Sequence, residues 1–97
     1  MKKILILLPF TFLERDYERF GIDVLKKNFL VRVLDFSPWL RPNLWKETQD
    51  KIFKCEEHLI VSNEDNFLNL DIYSESFIIF DFLGDHPKSG LVRNKLR

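Results

Sequence analysis

The chain has 97 residues, of which 45 % are hydrophobic and 31 % are charged, and its 15 basic residues balance its 15 acidic ones. A chain of this length forms one small domain with one core, and its composition excludes a disordered or fibrous protein. The formal net charge of +0 provides no overall field that would attract nucleic acid or anionic lipid, so we expect no nucleic-acid partner.

The first predicted element is a strand over residues 3–9, which reads Lys-Ile-Leu-Ile-Leu-Leu-Pro. A short apolar run without interruption is typical of a strand buried on both faces of a parallel sheet, so we place this strand at the centre. The run is too short to span a bilayer, and the charged residues 14–16 follow it without a small-residue cleavage site. We therefore expect neither an integral membrane segment nor a secretory signal.

A single long helix is predicted next, because Thr11 and Glu14 have the spacing of a capping box. The apolar residues that follow recur at offsets of three and four and form one stripe, which comprises Leu13, Tyr17, Phe20, Val24 and Leu25. Gly21 lies beside this stripe, where the missing side chain would let the helix approach the sheet closely. Asn28 suits the C-terminal cap of this helix.

Residues 30–36 form the predicted second strand, which carries two charges and should therefore lie nearer an edge than the first strand. The segment 37–42 contains two prolines and is predicted to be a loop. Asn43 can cap a second helix that runs to about residue 54.

The remaining elements continue the alternation of strands and helices. We predict a short strand over residues 58–61, a brief helix over 63–70 capped by Ser62, a strongly apolar strand over 77–83, a loop over 84–90 and a last helix over 91–96. This order requires right-handed crossovers and a parallel sheet. Because the first and fourth strands are the most apolar, we expect them to be neighbours in the order 3-2-1-4. The predicted fold class is α/β, a Rossmann-like three-layer α/β/α domain with a four-stranded parallel sheet.

This strand order leaves the apolar fourth strand at an open edge of the sheet. Native proteins usually cover such an edge, because it exposes unpaired backbone groups together with apolar side chains. We therefore expect that a further strand is missing and that residues 1–97 are a truncated or half domain, the N-terminal part of a longer protein.

The predicted switch point between the first and fourth strands brings two polar loops together. The candidate ligand-binding residues there are Thr11, Glu14 and Arg15 from the first loop, with Lys88, Ser89 and Gly90 from the second. The start of the last helix offers backbone donors and a positive dipole end, which suit a phosphate or a carboxylate. His86 can exchange protons near neutral pH and Asp85 can orient it, so these two are the catalytic candidates. The alternative is that Ser89 only caps the helix and that residues 85–87 form an ordinary turn.

Asp35 ends the second strand, where dinucleotide-binding folds place the acid that binds a ribose hydroxyl, and it is a further ligand-binding candidate. However, the turn over residues 9–13 has no glycine that would let a pyrophosphate approach. An NAD site is therefore not expected, and we expect no cofactor. The alternative role for Asp35 is to accept hydrogen bonds within its own loop.

Cys55 is the only cysteine, so an internal disulfide is excluded and a cytoplasmic location is expected. Cys55 and His58 have the spacing of half a metal site, but no second pair of ligands is present, so no metal is expected. Glu56 and Glu57 disfavour the lowered thiol pKa that a cysteine nucleophile needs.

Four segments together resemble the N-terminal Rossmann-like domain of GT-B glycosyltransferases of surface polysaccharide synthesis. They are residues 2–9, the long helix, the second strand that ends Val33-Leu34-Asp35, and residues 77–84 before a loop that contains histidine. In that family the N-terminal domain mainly holds the acceptor, the C-terminal domain binds the nucleotide sugar, and catalysis takes place in the cleft between them.

The resemblance implies that the chain is an acceptor-side domain that is inactive on its own. Its partner would be a sugar or glycolipid acceptor, and the nucleotide sugar would be bound by a missing C-terminal domain. By the same resemblance, Thr11, Glu14, Asp85 and His86 would face the cleft between the domains.

A second likeness concerns Pro87-Lys88-Ser89-Gly90, which is similar to the start of the sulfotransferase loop that binds a 5′-phosphosulfate. That loop also follows a strand and opens a helix, but Leu91 and Val92 replace its paired threonines. The alternative to a glycosyltransferase domain is a stand-alone flavodoxin-like module that binds a nucleotide or phosphate without catalysis.

Overall fold

A computed structural model describes residues 2–73 and 76–96 of the chain. Its elements are, in order, β1 (Lys2–Leu8), α1 (Glu14–Arg19), α2 (Ile22–Leu25), β2 (Phe29–Asp35), α3 (Ser37–Leu40), α4 (Pro42–Thr48), a 3-10 helix (Gln49–Lys51), β3 (His58–Ile60), α5 (Glu64–Leu68), β4 (Ile78–Asp81) and α6 (Ser89–Leu96). The four strands form one parallel sheet in the order β3-β2-β1-β4. This confirms the predicted α/β fold with the strand order 3-2-1-4.

β1 is the central strand, and its side chains are buried on both faces of the sheet. Ile4, Ile6 and Leu8 belong to one apolar cluster, which also contains Phe12, Tyr17 and Ile22 from the first crossover. Leu5 and Leu7 belong to a second cluster, to which α3, α5 and α6 contribute Leu40, Phe67 and Val92. Because the two clusters alternate along β1, they lie on opposite faces of the sheet, and helices cover both faces.

The first crossover differs from the predicted single helix in how it begins. Leu13 is the N-cap residue of α1, and its N–H donates to Oδ2 of Asp16 at 3.0 Å. The predicted capping box of Thr11 and Glu14 is therefore wrong, although Leu13 and Asp16 have the same spacing. The Thr11 side chain is buried among other polar groups and is not available to cap the helix.

The same crossover breaks at Gly21, which has a φ of 65° and separates α1 from α2. A Cβ built at this glycine would meet no atom within 4 Å, so the residue is needed for its left-handed backbone and not for close approach to the sheet. The break rotates the residues that follow it. Ile22 is buried and Leu25 packs against the core, whereas Val24 is 66 % exposed, so the predicted apolar stripe is wrong at Val24.

The second crossover contains more helix than predicted. The two prolines of the predicted loop lie in the first turns of α3 and α4, where a missing N–H removes no helical hydrogen bond. Arg41, and not Asn43, is the residue before α4. The helical segment ends with the 3-10 turn at Lys51, before the predicted end near residue 54.

The boundaries of the later elements also shift by one or two residues. Asn63, and not Ser62, caps α5, because its side chain accepts a hydrogen bond from the N–H of Asn66 at 2.8 Å. The N–H of Ser62 instead donates to the Asn66 side chain at 3.0 Å. α6 begins at Ser89, earlier than the predicted start at Leu91.

β4 lies beside β1 as predicted, but it is shorter than residues 77–83 and all four of its residues are exposed. In the part of the chain that the structure describes, no strand pairs with its outer side. The predicted open apolar edge is therefore confirmed for these residues. None of the described helices is long and apolar enough to cross a membrane.

Candidate functional site

The first group of polar side chains at the carboxyl edge of the sheet surrounds Asp35, whose carboxylate is fully buried at the end of β2. Its Oδ1 accepts from the N–H of Ser37 at 3.0 Å and from the Ser37 hydroxyl at 2.5 Å. Its Oδ2 accepts from the N–H of Phe12 at 3.0 Å and lies 3.1 Å from Nε2 of His58. Because an ionised carboxylate only accepts hydrogen bonds, His58 is the donor in this last contact.

Two threonine hydroxyls extend this group. Thr11 Oγ1 lies 2.5 Å from Thr48 Oγ1 and 3.3 Å from Ser37 Oγ, and the Thr48 hydroxyl donates to the carbonyl of Leu44 at 2.7 Å. Each hydroxyl has one hydrogen. The Ser37 hydrogen goes to Asp35, the Thr48 hydrogen to Leu44 and the Thr11 hydrogen to Thr48, so none is left for a ligand.

The Asp35 group, formed by Thr11, Asp35, Ser37, Thr48 and His58, therefore satisfies its own hydrogen bonds. It joins the loop after β1 to the end of β2, the start of α3, α4 and the start of β3. This geometry supports the alternative considered for Asp35, that of an acceptor within the fold. We assign the group a structural role.

The other two candidates from the first loop, Glu14 and Arg15, lie exposed on α1. Nε of Arg15 lies 3.7 Å from Oδ1 of the buried Asp16, which also accepts from Arg19 at 3.0 Å. Within residues 2–73 and 76–96, no hydrogen bond or ion pair connects Thr11, Glu14 or Arg15 to the loop 84–90. That the two loops share one site therefore stays a prediction.

The second group of polar side chains is the turn at the start of α6. The N–H of Ser89 donates to the carbonyl of His86 at 2.9 Å, and the N–H of Lys88 donates to Nδ1 of the same residue at 3.1 Å. Because Nδ1 accepts, a neutral His86 ring carries its hydrogen on Nε2. The His86 side chain thus positions the backbone before the helix, whereas Asp85 is exposed.

Hydrogen-bond donors without an acceptor collect at this helix start. The Ser89 hydroxyl is buried, the residue being 1 % exposed, and it has no hydrogen-bond partner among the described residues. The amides of Gly90 and Leu91 likewise donate to no described residue, as expected for the first turn of a helix. This start of α6 therefore offers two amides and one hydroxyl to an acceptor.

The charges around the α6 start favour an anion. The first turn of α6 contains no acidic residue, and Lys88 places an ammonium group next to the positive end of the helix dipole. Nζ of Lys88 lies 5.9 Å from the centre of the Trp39 ring in α3. An ammonium group beside the positive end of a helix is unfavourable by itself. A bound anion would be attracted both to Lys88 and to the helix dipole.

Arg93 fixes the loop that leads into this helix. Its Nε donates to Oδ2 of Asp81 at 2.5 Å, and its Nη2 donates to the carbonyl of Gly84 at 2.9 Å. The guanidinium holds the pKa of Asp81 below its ordinary value. The end of β4 and the middle of α6 are thereby joined across the loop 84–90. Local sequence patterns do not reveal this pair, because its residues belong to different elements.

No group of three His, Cys, Asp or Glu side chains in the described part of the chain is placed to hold a metal. The imidazole of His58 is bonded to Asp35 and not directed to a site shared with Cys55. Burial raises the pKa of the Cys55 thiol, which disfavours the thiolate form.

Comparison of the chain with protein-family models, with curated proteins and with solved structures finds no match.

Proposed function

We propose that the domain binds a phosphorylated ligand at the start of α6, through Lys88, Ser89 and Gly90. The unpartnered Ser89 hydroxyl is the observation that carries this proposal. Leaving a buried hydroxyl without a partner costs about 1–3 kcal/mol, and an anionic oxygen that accepts its hydrogen would offset this cost. The amides of Gly90 and Leu91 would supply two further donors.

The position of the site in the sheet supports the same function. α6 follows β4, and β4 lies beside β1, so the loop 84–90 opens where the direction of the crossovers reverses. Ligands of open α/β sheets bind at this switch point, outside the carboxyl ends of the strands. The Asp81–Arg93 ion pair holds this loop in place before any ligand arrives.

Trp39 favours a nucleotide over inorganic phosphate. The centre of its ring lies 6.2 Å from that of Phe36 and 6.1 Å from that of Phe67, and Nζ of Lys88 lies 5.9 Å from it. A nucleotide base can stack on such a ring while its phosphate meets the ammonium group. A nucleoside monophosphate is therefore the first ligand to test.

The test is a titration followed by the backbone amide signals in nuclear magnetic resonance spectra. Adenosine monophosphate and inorganic phosphate should each shift the amides of Gly90 and Leu91, and the nucleotide should also shift the indole signal of Trp39. Sodium chloride at matched ionic strength is the control. Spectra in which Gly90 and Leu91 respond no more to phosphate than to chloride would overturn the proposal.

A second candidate function is the acceptor-side domain of a glycosyltransferase, inactive on its own, in which a further domain binds the nucleotide sugar. The parallel sheet agrees with this function only at the level of the fold, which hosts many activities. The specific observation in its favour is that Asp85 is exposed and His86 half-buried on the switch-point loop, where an acceptor hydroxyl could reach them.

The two candidates predict different spectra. If the domain holds an acceptor, a glycan or glycolipid headgroup should shift the amides of Asp85 and His86, and a nucleotide sugar alone should not. A response to the nucleotide sugar at Gly90 without any response to glycans would contradict the acceptor role and support the phosphate site.

A further inference from the structure

A cleft opens beside the first half of β2, at the amino edge of the sheet and away from the start of α6. β3 pairs only with residues 33–35 of β2, so no described strand covers residues 29–32 on that side. The β2 cleft is lined by residues 26–27, 29–32 and 56–57, and its volume is about 470 Å³. Small-molecule sites have volumes of this size.

Glu57 places a buried negative charge in the β2 cleft. The residue is only 5 % exposed, and its main-chain carbonyl accepts from the N–H of Val33 at 2.8 Å. Its carboxylate forms no hydrogen bond or ion pair with any described residue. Ser89 Oγ is the one fully buried side-chain oxygen or nitrogen without a partner in the described ranges, so the Glu57 oxygens reach the surface of the cleft. A ligand ammonium group would give this carboxylate both donors and the opposite charge.

The guanidinium group of Arg32 places a positive charge in the same cleft. The N–H of Val33 donates to Glu57, and successive residues of a strand direct their backbone groups to opposite sides, so the carbonyl of Val31 also points away from β1. This carbonyl accepts from Nη1 of Arg32 at 2.8 Å, which holds the guanidinium at the open side of β2. Its Nε and Nη2 donate to no described residue. They form the fork that binds a carboxylate through two parallel hydrogen bonds.

The other charges that line the β2 cleft are either engaged in the fold or exposed. Nζ of Lys26 donates to the Tyr17 hydroxyl at 2.9 Å. This hydrogen bond and the nearby charge of Glu57 raise the pKa of Lys26. Lys27 and Glu56 are exposed and opposite in sign. A ligand thus meets one buried carboxylate and one guanidinium fork, and a ligand with a single charge would be repelled by one of the two.

We propose that the β2 cleft binds a free α-amino acid with an apolar side chain. Its ammonium group pairs with Glu57 and its carboxylate pairs with Arg32. Val31 and Val33, the residues to which these two partners are bonded, lie about 7 Å apart along the strand. An ammonium group and a carboxylate on one carbon, each at hydrogen-bond distance from its partner, fit a separation of this size.

The apolar part of the cleft determines the side chain of the ligand. Phe29 and Leu30 are half-buried and line the cleft at the start of β2. Burying an apolar ligand side chain against them removes apolar surface from water on both sides of the contact. Leucine is therefore the first amino acid to test.

Titration of the whole chain with L-leucine, followed by the backbone amide signals in nuclear magnetic resonance spectra, tests the proposal. The amides of Val31, Arg32 and Glu57 should shift and reach saturation, and the amide of Gly90 should not shift. N-acetyl-L-leucine lacks the ammonium group and L-leucinamide lacks the carboxylate. Each should bind about tenfold more weakly or worse, because each loses one charge-assisted pair.

Glu57→Gln tests the proposed ammonium partner in the protein. This variant keeps the size of the side chain and removes its charge, so it should weaken leucine binding about tenfold or more. Glu64→Gln is the matched control, because Glu64 is exposed on α5, outside the cleft, and it should bind leucine like the parent. Circular dichroism melting shows whether Glu57→Gln is folded. If it is not, the two leucine derivatives still test the pairing in the parent protein.

Three results would overturn the proposal. They are the absence of a saturable response to leucine, equal binding of leucine and either derivative, and a folded Glu57→Gln variant that binds leucine like the parent. Phosphate binding is read at Gly90, beyond the opposite edge of the sheet, so this proposal and the phosphate site can fail separately.

Discussion

Nε2 of His58 lies 3.1 Å from Oδ2 of Asp35, and the two side chains are only 4 % and 0 % exposed. In the parallel ladder between β2 and β3, Val33 lies opposite His58 and Asp35 lies opposite Ile60. The histidine thus reaches along the ladder to the end of β2. Since β3 has only three residues, this side-chain contact adds to the few backbone hydrogen bonds that hold it to the sheet.

Removing the charge of Asp35 should therefore destabilise the domain. Asp35→Asn replaces one acceptor oxygen by an amide NH2 group, which then faces either the donors of Ser37 or the donors of Phe12 and His58. We expect the free energy of unfolding to fall by about 1–3 kcal/mol, the usual cost of leaving a buried hydrogen-bonding group without its partner. Urea unfolding of the variant measures this loss. Asp50→Asn, an exposed control in the 3-10 helix, should change it by less than about 0.5 kcal/mol.

The central position of β1 makes a second stability prediction. Ile6 is 0 % exposed, and Ile6→Ala should lower the free energy of unfolding by about 2–5 kcal/mol, because it removes buried methyl groups and leaves a cavity. Val24→Ala removes a similar apolar group from an exposed position and should cost far less. Equal losses in the two variants, measured by urea unfolding, would show that β1 is not the core strand.

The strands could be predicted from the sequence because short apolar runs show locally which segments are buried. Residues 3–9 are an apolar run that only a strand covered on both faces can bury, and β1 is buried in this way. The ranking of strands by apolar content then correctly placed β4 beside β1. Local hydrophobic patterns thus determined both the fold class and the strand order.

The caps and the buried polar group depended on contacts that no local pattern contains. In spacing alone, Thr11 and Glu14 match a capping box as well as Leu13 and Asp16 do. The choice was decided by the burial of Thr11 against Ser37 and Thr48, which are distant in sequence. The His58–Asp35 contact likewise joins two strands. The predicted sheet did not reveal this contact, because His58 begins β3 whereas Asp35 ends β2, and the two meet only because β3 pairs with the last three residues of β2.

Two glycine substitutions should have opposite effects on stability. Gly21→Ala forces a Cβ into a left-handed residue with φ of 65°, and should destabilise the domain by about 1–2 kcal/mol even though no atom lies within 4 Å. Gly90 lies within α6, has no left-handed backbone and also has open space around it. Gly90→Ala should therefore stabilise the domain by about 0.4–1 kcal/mol. Thermal unfolding of both variants checks the pair, and a change of the same sign would contradict this account.

The Asp81–Arg93 ion pair predicts a loss of stability in acid. The hydrogen bond from Arg93 lowers the pKa of Asp81 in the folded protein. A carboxyl whose folded-state pKa is lowered stabilises the fold fully above its unfolded value of about 4 and loses this contribution as the pH falls through the folded value. Because both side chains are partly exposed, at 28 % and 36 %, we expect about 1 kcal/mol or less.

Asp81→Asn isolates this contribution. The difference in unfolding free energy between the parent and the variant should be constant near neutral pH and should shrink as the pH falls below about 4. Asp71→Asn, at an exposed position, is the control and should show no such trend. A parent–variant difference that grows in acid would mean that the carboxyl of Asp81 is not stabilised in its charged form.

Lys88 provides the sharpest test of the phosphate site, because α6 offers a matched control. Lys88 and Lys95 each place an ammonium group against an aromatic ring, at 5.9 Å from Trp39 and 4.6 Å from Tyr73. Replacing either by alanine should therefore change the free energy of unfolding by a similar small amount, about 1 kcal/mol or less.

Of these two lysines, only Lys88 adjoins the donors of Ser89 and Gly90. Lys88→Ala should weaken phosphate binding about tenfold, equivalent to about 1.4 kcal/mol, whereas Lys95→Ala should leave the affinity unchanged. Isothermal titration calorimetry measures both affinities. A large loss of stability in Lys88→Ala would show that Lys88 stabilises the fold. Equal phosphate affinities of the two variants would show that Lys88 does not contribute to the phosphate site.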